Sequence, residues 1–332
     1  MSAVKIAEKA LIAQIRRTAR AVHPAVRTGI GDDCAVLRLL PGLLPGRGES
    51  PEMLVTTDFS LEGVHFRRDW HSPESVGHRC LARGLSDIAA MGGEPVAAFL
   101  SLALPRALPQ RWVGRFLRSL LSLAEKFGVT LAGGDTGESP VGILVDIIVV
   151  GRAPIGRSVL RSGALAGDRI YVSGELGGSG AAVEEMRKHP KKTLNRRDYQ
   201  RHFFPEPRVE LGRTLREKRL ASAMIDVSDG LSTDLAHLCE ESGVGAEVDL
   251  KAIPSARVGK PARLVPPELA LHGGEDYELL FTVPASKRVP LRIGGVPISQ
   301  IGHITKGRKI FLTNGPGERA ELEPRGWEHF RK

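Results

Sequence analysis

Cysteine is scarce in this chain of 332 residues: Cys34, Cys80 and Cys239 are widely spaced and odd in number. They offer neither a disulfide framework nor metal-ligand spacing, and they suit a reducing compartment, with the cytoplasm as the default location. Long apolar runs are missing too. The most apolar stretch, Val141 to Val150, is too short to span a bilayer and contains Asp146. Met1 to Ala21 mixes Lys5, Glu8, Lys9, Arg16 and Arg17 with Ile6, Leu11, Ile12 and Ile15, the pattern of an amphipathic helix and not of a secretory leader. Aromatic residues make up only 5%, and no RNA-binding signature is present. Two nucleotide-site signatures are also absent: the Gly-x-x-x-x-Gly-Lys-Ser/Thr loop, and the catalytic-loop and Asp-Phe-Gly motifs of protein kinases.

What the chain has is length, glycine and positive charge. The 42% hydrophobic and 26% charged residues are the balance of a globular protein, and the length suffices for two domains of ordinary size. Thirty-eight glycines and 22 prolines predict tight turns and short elements. The net charge is +9, and much of it is local. Arg187, Lys188, Lys191, Lys192, Arg196, Arg197 and Arg201 face one nearby acid, Asp198. A solvated basic loop accounts for this run; a surface attracting anionic substrates or RNA is the alternative. With no aromatic platform beside it, no nucleic-acid partner is expected.

Periodicity and turn residues predict the order of elements. After the first helix come Gly29-Ile30-Gly31-Asp32-Asp33 and a strand over Cys34 to Leu40. A Pro/Gly-rich loop over Pro41 to Pro51 leads to a strand over Met53 to Thr57 that ends at Asp58. Glu74 to Met91 reads as a helix with Val76, Leu81, Leu85 and Ile88 on its core side. A strand over Val96 to Leu104, a helix over Gln110 to Phe127, a strand over Thr130 to Ala132, a turn at Gly133 to Thr136 and a strand over Ile143 to Val150 complete the first half. The polar segment Arg152 to Gly167 separates domains 1–152 and 153–332. The second half has strands at Arg169 to Ser173, Ala223 to Asp226, Ala246 to Asp249, Glu278 to Val283, Ile298 to Ile304 and Lys309 to Leu312. Its helices follow Gly174 to Gly180 and cover Arg208 to Lys218 and Leu231 to Glu241. Strands and helices alternate without a one-to-one rhythm, so the class is α+β.

Five acidic clusters sit at predicted strand ends or helix starts: Asp32-Asp33, Thr56-Thr57-Asp58, Ser86-Asp87, Gly134-Asp135-Thr136 and Asp226-Val227-Ser228-Asp229-Gly230. Each sets carboxylates beside hydroxyls or glycine. Mg²⁺ takes oxygen ligands in near-octahedral geometry and shares positions with phosphate oxygens, so carboxylates from several loops suit a polyphosphate site. Each cluster also has an ordinary use: Asp32 in a turn, Asp87 paired with Arg83 one turn earlier, Ser228 or Asp229 as a helix N-cap. Capping requires neither Asp226 with Asp229 nor paired aspartates at 32 and 33. Gly174 to Gly180 could hold phosphate at a helix start or be a plain strand-to-helix turn. Gly273-Gly274-Glu275-Asp276-Tyr277-Glu278 is either a polar site segment or a solvated turn. His65 stands alone.

In this order the segments resemble the thiamine-monophosphate kinase family, within the aminoimidazole ribonucleotide synthetase-like superfamily. The resemblance rests on Gly29 to Ala35, Thr56 to Asp58 with Glu62 to Phe66, Leu85 to Gly92, Gly133 to Thr136, Arg161 to Ala164, Asp226 to Leu231, Gly273 to Leu279 and the ending Gly326 to Phe330. It implies a two-domain fold, an N-terminal α/β dimerisation domain and a C-terminal α/β domain covering the nucleotide, in a homodimer. It implies ATP and thiamine monophosphate as substrates. It further implies that Asp33, Thr56, Thr57, Asp58, Asp87, Asp135, Asp226 and Asp229 bind magnesium. Asp33, Gly134, Asp135, Arg161 and Ser228 would lie at ATP, and His65, Glu275 and Trp327 at the thiamine moiety. The loop Pro41 to Pro51, the basic segment and Gly137-Glu138-Ser139 depart from the family pattern.

Related enzymes on that scaffold, ATP-dependent synthetases or cyclases, are the alternative, and a basic anion or RNA binder is a further one. The reactive N-terminal cysteine of selenophosphate synthetases has no counterpart before Cys34, and the terminal cysteine motif of hydrogenase-maturation relatives is replaced by Phe330-Arg331-Lys332. The expected acceptor is an ionised phosphate monoester that needs no strong base. The obstacle is repulsion: two like unit charges about 4 Å apart cost roughly 4 kcal/mol at an effective dielectric near 20. Positioning and charge neutralisation by Asp135, Asp229 and their metals with Arg161, and direct transfer without a phosphoenzyme, are therefore expected.

Overall fold

The computed structural model describes residues 7–19, 23–38, 51–315 and 317–330. Most of the Pro41 to Pro51 loop, and the outer ends of the first helix and first strand as expected from sequence, lie outside them. The N-terminal half contains α1 (Glu8–Thr18), β1 (Val26–Thr28), β2 (Ala35–Leu37), β3 (Glu52–Leu61), α2 (Pro73–Ala90), β4 (Glu94–Leu104), α3 (Gln110–Lys126), β5 (Thr130–Glu138) and β6 (Leu144–Ala153). The C-terminal half contains β7 (Arg169–Ser173), α4 (Gly178–Lys188), α5 (Gln200–Phe203), α6 (Val209–Glu217), β8 (Ala223–Asp226), α7 (Leu231–Ser242), β9 (Gly245–Asp249), β10 (Arg257–Val258), β11 (Arg263–Leu264), α8 (Pro267–His272), β12 (Leu279–Val283), β13 (Arg292–Ile293), β14 (Val296–Thr305), β15 (Ile310–Thr313) and β16 (Arg319–Glu321).

Two mixed sheets result, as an α+β fold requires. The first runs β1-β2-β3-β6-β4-β5, and the second β16-β15-β9-β14-β7-β12-β8 with β13 on β14. Pairing is antiparallel except at β4–β5 and β9–β15. No helix among the described residues is long and apolar enough to cross a membrane.

Helix α2 is the element on which the halves meet. Ser72 caps its N-terminus by accepting from the Ser75 N–H, and Pro73 follows at the first helical position, where a missing N–H costs nothing. Leu81, Leu85, Ile88 and Ala89 are fully buried in one core with Val145, Ile147 and Val149 of β6 and with Met224, Leu279 and Phe281 of the second sheet. Helix α6 closes on α2 so tightly that a Cβ on Gly212 would come 2.0 Å from the Ala89 carbonyl oxygen. A helix enclosed from both sides would be expected to be apolar all round. Instead α2 carries Arg79, Arg83, Ser86 and Asp87, at i, i+4, i+7 and i+8. That spacing is one stripe along the helix.

Two strand boundaries differ from the sequence reading, and each matters for the site. Strand β3 does not stop at Thr57 but continues to Leu61, held by ten paired residues of β6. Strand β5 runs through Gly133-Gly134-Asp135-Thr136, which is therefore extended edge strand and not a turn. Glycine is needed there for close approach: a Cβ on Gly134, whose φ is +148°, would lie 1.8 Å from the Leu100 carbonyl oxygen, beside the register shift at Ala98/Phe99.

Candidate active site

A cavity of about 1300 Å³ opens between the halves. At one end Asp33, Asp87 and Asp226 bring carboxylate oxygens within 4.8 Å of one another, from a loop, α2 and the end of β8. Asp33 Oδ1 accepts from Arg161 Nη2 at 2.6 Å, while Asp33 Oδ2 and Asp58 Oδ2 are buried with no partner. Thr56 donates to Asp87 Oδ2, and Ser86 donates to Asp226 Oδ2 at 2.6 Å. Arg83 Nη2 reaches Asp58 Oδ1 at 3.4 Å, so the helix-internal pair of Arg83 with Asp87 does not form.

Crowding these acids has an electrostatic cost that shows in their proton affinities. Burial and the neighbouring Asp33 push Asp226 up to about 7. Burial and Asp33 likewise push Asp32 up to about 7. Burial and the carboxylates of Asp58, Asp226 and Asp33 raise Asp87 well above the carboxylate range. Asp229 is pushed up to about 6 by burial and by Glu8. Such a set binds either protons or cations.

Ser228 and Asp229 line the same cavity. They do not cap α7, whose N-cap Gly230 makes no side-chain bond. The fully buried Asp234, in the first turn, does that work: its Oδ2 accepts the N–H groups of Ser228, Asp229 and Gly230 at 3.0–3.1 Å. The Asp229 side chain is thereby left facing the cavity.

At the other end lie His65, Glu275, Tyr277 and Trp327. Arg79, its side chain 5% exposed, donates to Glu275 Oε1 at 2.6 Å and also to the carbonyl oxygens of His65 and His202. Burial pushes Glu275 up, but Arg79 and Arg83 together hold it below the usual range, so it stays ionised. Its backbone is left-handed, with φ +65°, and its N–H donates to the Ser228 carbonyl oxygen at 2.7 Å, tying both ends of the cavity together. Burial and then Arg83 lower His65 to about 3. With its Nδ1 accepting from the Leu61 N–H at 3.0 Å, the neutral ring keeps its proton on Nε2. Trp327 is 45% exposed, and its N–H donates to the Asp229 carbonyl oxygen at 2.9 Å.

Within one chain, Gly134 and Asp135 do not join this cluster. Strands β6 and β4 lie between β3 and β5, so Asp135 is three strand spacings, about 14 Å, from Phe59 beside it in register. Cross-strand pairing of Phe59, Asp146, Ser101 and Asp135 places all four on the outer sheet face. Thr57 turns to that face as well, donating to Asp146 Oδ1 at 2.7 Å, because residues alternate along β3 and only Thr56 and Asp58 point toward α2. The consecutive triplet, taken as ending a strand, has this split because the strand continues.

Other ordinary explanations fail. Gly177 N and Ser179 N, at the start of α4, donate to Asp276 at 2.6 and 3.2 Å, so Gly174 to Gly180 offers those groups to a carboxylate and not to phosphate. Asp276 and Glu278 are 5% and 0% exposed, so Gly273 to Glu278 is no solvated turn. The basic segment is not wholly a solvated loop: Arg201 pairs with the buried Glu278, and Arg187 lines the cavity. Arg79, Arg83, Ser86 and Tyr277 went unnoticed as site residues in the sequence reading. A polar stripe on an otherwise apolar helix is the signal that identifies the first three.

Residues 31–153 match the family model of the AIR synthase related protein N-terminal domain, and residues 166–314 match that of the C-terminal domain. The chain is 37% identical to thiamine-monophosphate kinase of Escherichia coli (strain K12), over 97% of this chain and 98% of that one. It is 37% identical to thiamine-monophosphate kinase of Haemophilus influenzae, over 94% of each. A solved structure described as "AaThiL complexed with AMPPCP and TMP" superposes with a TM-score of 0.83 at 32% identity, covering 99% of this chain and 100% of that one.

Proposed function

The chain belongs to the AIR synthase related family and, within it, to the thiamine-monophosphate kinases, and on that premise we propose that its central cavity transfers the γ-phosphoryl group of ATP directly to thiamine monophosphate, giving ADP and thiamine diphosphate. The observation that carries this reading is the convergence of Asp33, Asp87 and Asp226, with buried oxygens of Asp33 and Asp58 left unpartnered. An all-oxygen set with unpaired buried carboxylate oxygens fits magnesium. Asp33, Thr56, Asp58, Asp87, Asp226 and Asp229 are the residues that would hold the ions, which when bound neutralise the charge of the phosphates. Arg161 and Ser228 border the nucleotide end. His65, through Nε2–H, with Glu275 and Trp327, borders the thiamine end, where an ionised Glu275 suits a cationic ring. The acceptor phosphate is ionised at neutral pH, so these residues need only orient and neutralise, with no general base.

The outer face of the first sheet supports a homodimer. Phe59 and Phe99 on it are 55% and 38% exposed, beside Ile148 and Val150. A second copy packed there would cover apolar area and bring its Gly134 and Asp135 to the Thr57 side of the first chain's cluster. Residues 1–152 then serve metal binding and dimerisation, and residues 153–332 cover nucleotide and acceptor. The three buried, unpaired cysteines fit a cytoplasmic enzyme.

The test is direct. Purified protein incubated with ATP, magnesium and thiamine monophosphate should form thiamine diphosphate, read by chromatography. No diphosphate would sink the reading, and a labelled phosphoprotein trapped during turnover would sink direct transfer.

A further inference from the structure

Three arginines border the cavity or its carboxylates, and they are committed to different extents. Arg161 is bound to Asp33 at 2.6 Å. Arg79 has both terminal nitrogens engaged, with Glu275, His65 and His202. Arg83 differs. Its side chain is 18% exposed and lines the cavity, and among the described residues its guanidinium makes a single hydrogen bond, the 3.4 Å contact to Asp58 Oδ1. A guanidinium has five N–H donors in a planar fork, and leaving most of them unused in a largely enclosed position is costly unless an anion takes them.

Position adds to this. Arg83 sits on the α2 stripe one turn before Asp87, the helix that also supplies Arg79 to Glu275. Its fork therefore lies between the carboxylate cluster, which it touches at Asp58, and the His65–Glu275 end. A phosphate entering from the thiamine end must pass between these groups, and it would meet Asp58 and Asp87 with no other uncommitted cation on that side.

We infer that Arg83 binds the phosphate of the acceptor, and that this contact is what makes the site select a phosphorylated acceptor over the corresponding alcohol. The inference rests on the kinase reading above and adds to it the group that recognises the acceptor's anion. Arg161 serves the nucleotide end and Arg83 the acceptor end, so the two anions that repel each other are each held by a separate guanidinium. Arg83 supplies no proton and forms no bond; it reduces the charge on the acceptor side and fixes the phosphate's orientation.

The experiment compares affinities for thiamine monophosphate and thiamine, measured calorimetrically with saturating magnesium and AMPPCP, in the wild type, Arg83→Gln and Arg83→Lys. Arg83→Gln should weaken monophosphate binding about 10- to 100-fold, the range for a lost charge-assisted hydrogen bond. Thiamine affinity and AMPPCP affinity should stay within about twofold, because neither contact involves this group. Arg83→Lys should recover part of the loss, since it keeps the charge without the fork. Equal weakening of thiamine and the monophosphate, or unchanged monophosphate binding in Arg83→Gln, overturns the inference while leaving the kinase reading intact. A wild-type protein that binds neither compound overturns both. If Arg83→Gln melts early, Arg83→Lys alone decides: a monophosphate-to-thiamine preference equal to that of the wild type, without loss of monophosphate affinity, overturns the role of the fork.

Discussion

Ser86 and Asp226 are 140 residues apart in sequence, and the hydroxyl of the first donates to Oδ2 of the second at 2.6 Å across the junction of the two halves. The bond favours the ionised form of a carboxylate that burial otherwise pushes up to about 7. Removing it with Ser86→Ala should raise the Asp226 pKa further, so that protons compete better with magnesium. At pH 7 the magnesium concentration for half-maximal activity should rise by up to about tenfold, the effect of losing an outer partner of a metal ligand. At pH 8.5 and saturating magnesium the rate should return to near wild type. A magnesium titration at the two pH values checks this; an equal deficit in both would mean a packing role only.

The same crowding sets how stability depends on pH. Asp226 and Asp229 have folded values of about 7 and about 6, above the range of an unfolded aspartate near 4. A raised folded pKa contributes stability that is complete below the unfolded value and is lost as pH rises through the folded value. For metal-free protein, this contribution disappears between about pH 4 and 7. Magnesium requires the ionised acids, so the rise in melting temperature it produces should be larger at pH 8 than at pH 5.5. Thermal melts with magnesium or a chelator at both pH values read this out. Equal magnesium shifts at the two values would contradict it.

Asp229 contributes to the fold through its backbone, donating to Asp234 and accepting from Trp327. Asp229→Asn should leave the melting temperature of the metal-free protein unchanged or slightly raised, because it removes a crowded charge. Turnover should fall at least about a hundredfold, as a neutral amide is a poor ligand for magnesium. Wild-type rates would remove Asp229 from the site.

Asp135 lies on an open edge strand about 14 Å from Phe59, which pairs in register on the same face. If a second copy supplies it, Asp135→Asn and Asp229→Asn should each be nearly inactive alone and should complement when co-expressed. Random pairing restores one intact site in each mixed dimer, about a quarter of the wild-type rate. A mixture as inactive as its components would place Asp135 in its own chain's site or in none.

The acids of the site are legible in sequence because each stands beside glycine or a hydroxyl at a point where an element begins or ends. Asp226-Val227-Ser228-Asp229-Gly230 is the best example, with β8 ending at Asp226 and α7 starting at Leu231, as the sequence predicts. Arg83 is not legible in the same way. Four residues before Asp87 it reads as an ordinary helix ion pair, and only the packing of α2 between two sheets turns its fork toward the cavity. Glu278 is similar: three acids in four residues look solvated until Ser173, Arg201 and Arg208 are found around the carboxylate.

Sequence alone determined the family, the α+β class, most element positions and the identity of the carboxylates, because these depend on local pattern and on residue types that metal chemistry demands. Tertiary structure decided which of those carboxylates meet within one chain, which way consecutive residues of β3 point, and which arginine is left with donors to spare. Strand alternation, sheet order and the enclosure of α2 fix those outcomes. They depend on pairings between distant segments, which no local pattern of residues encodes.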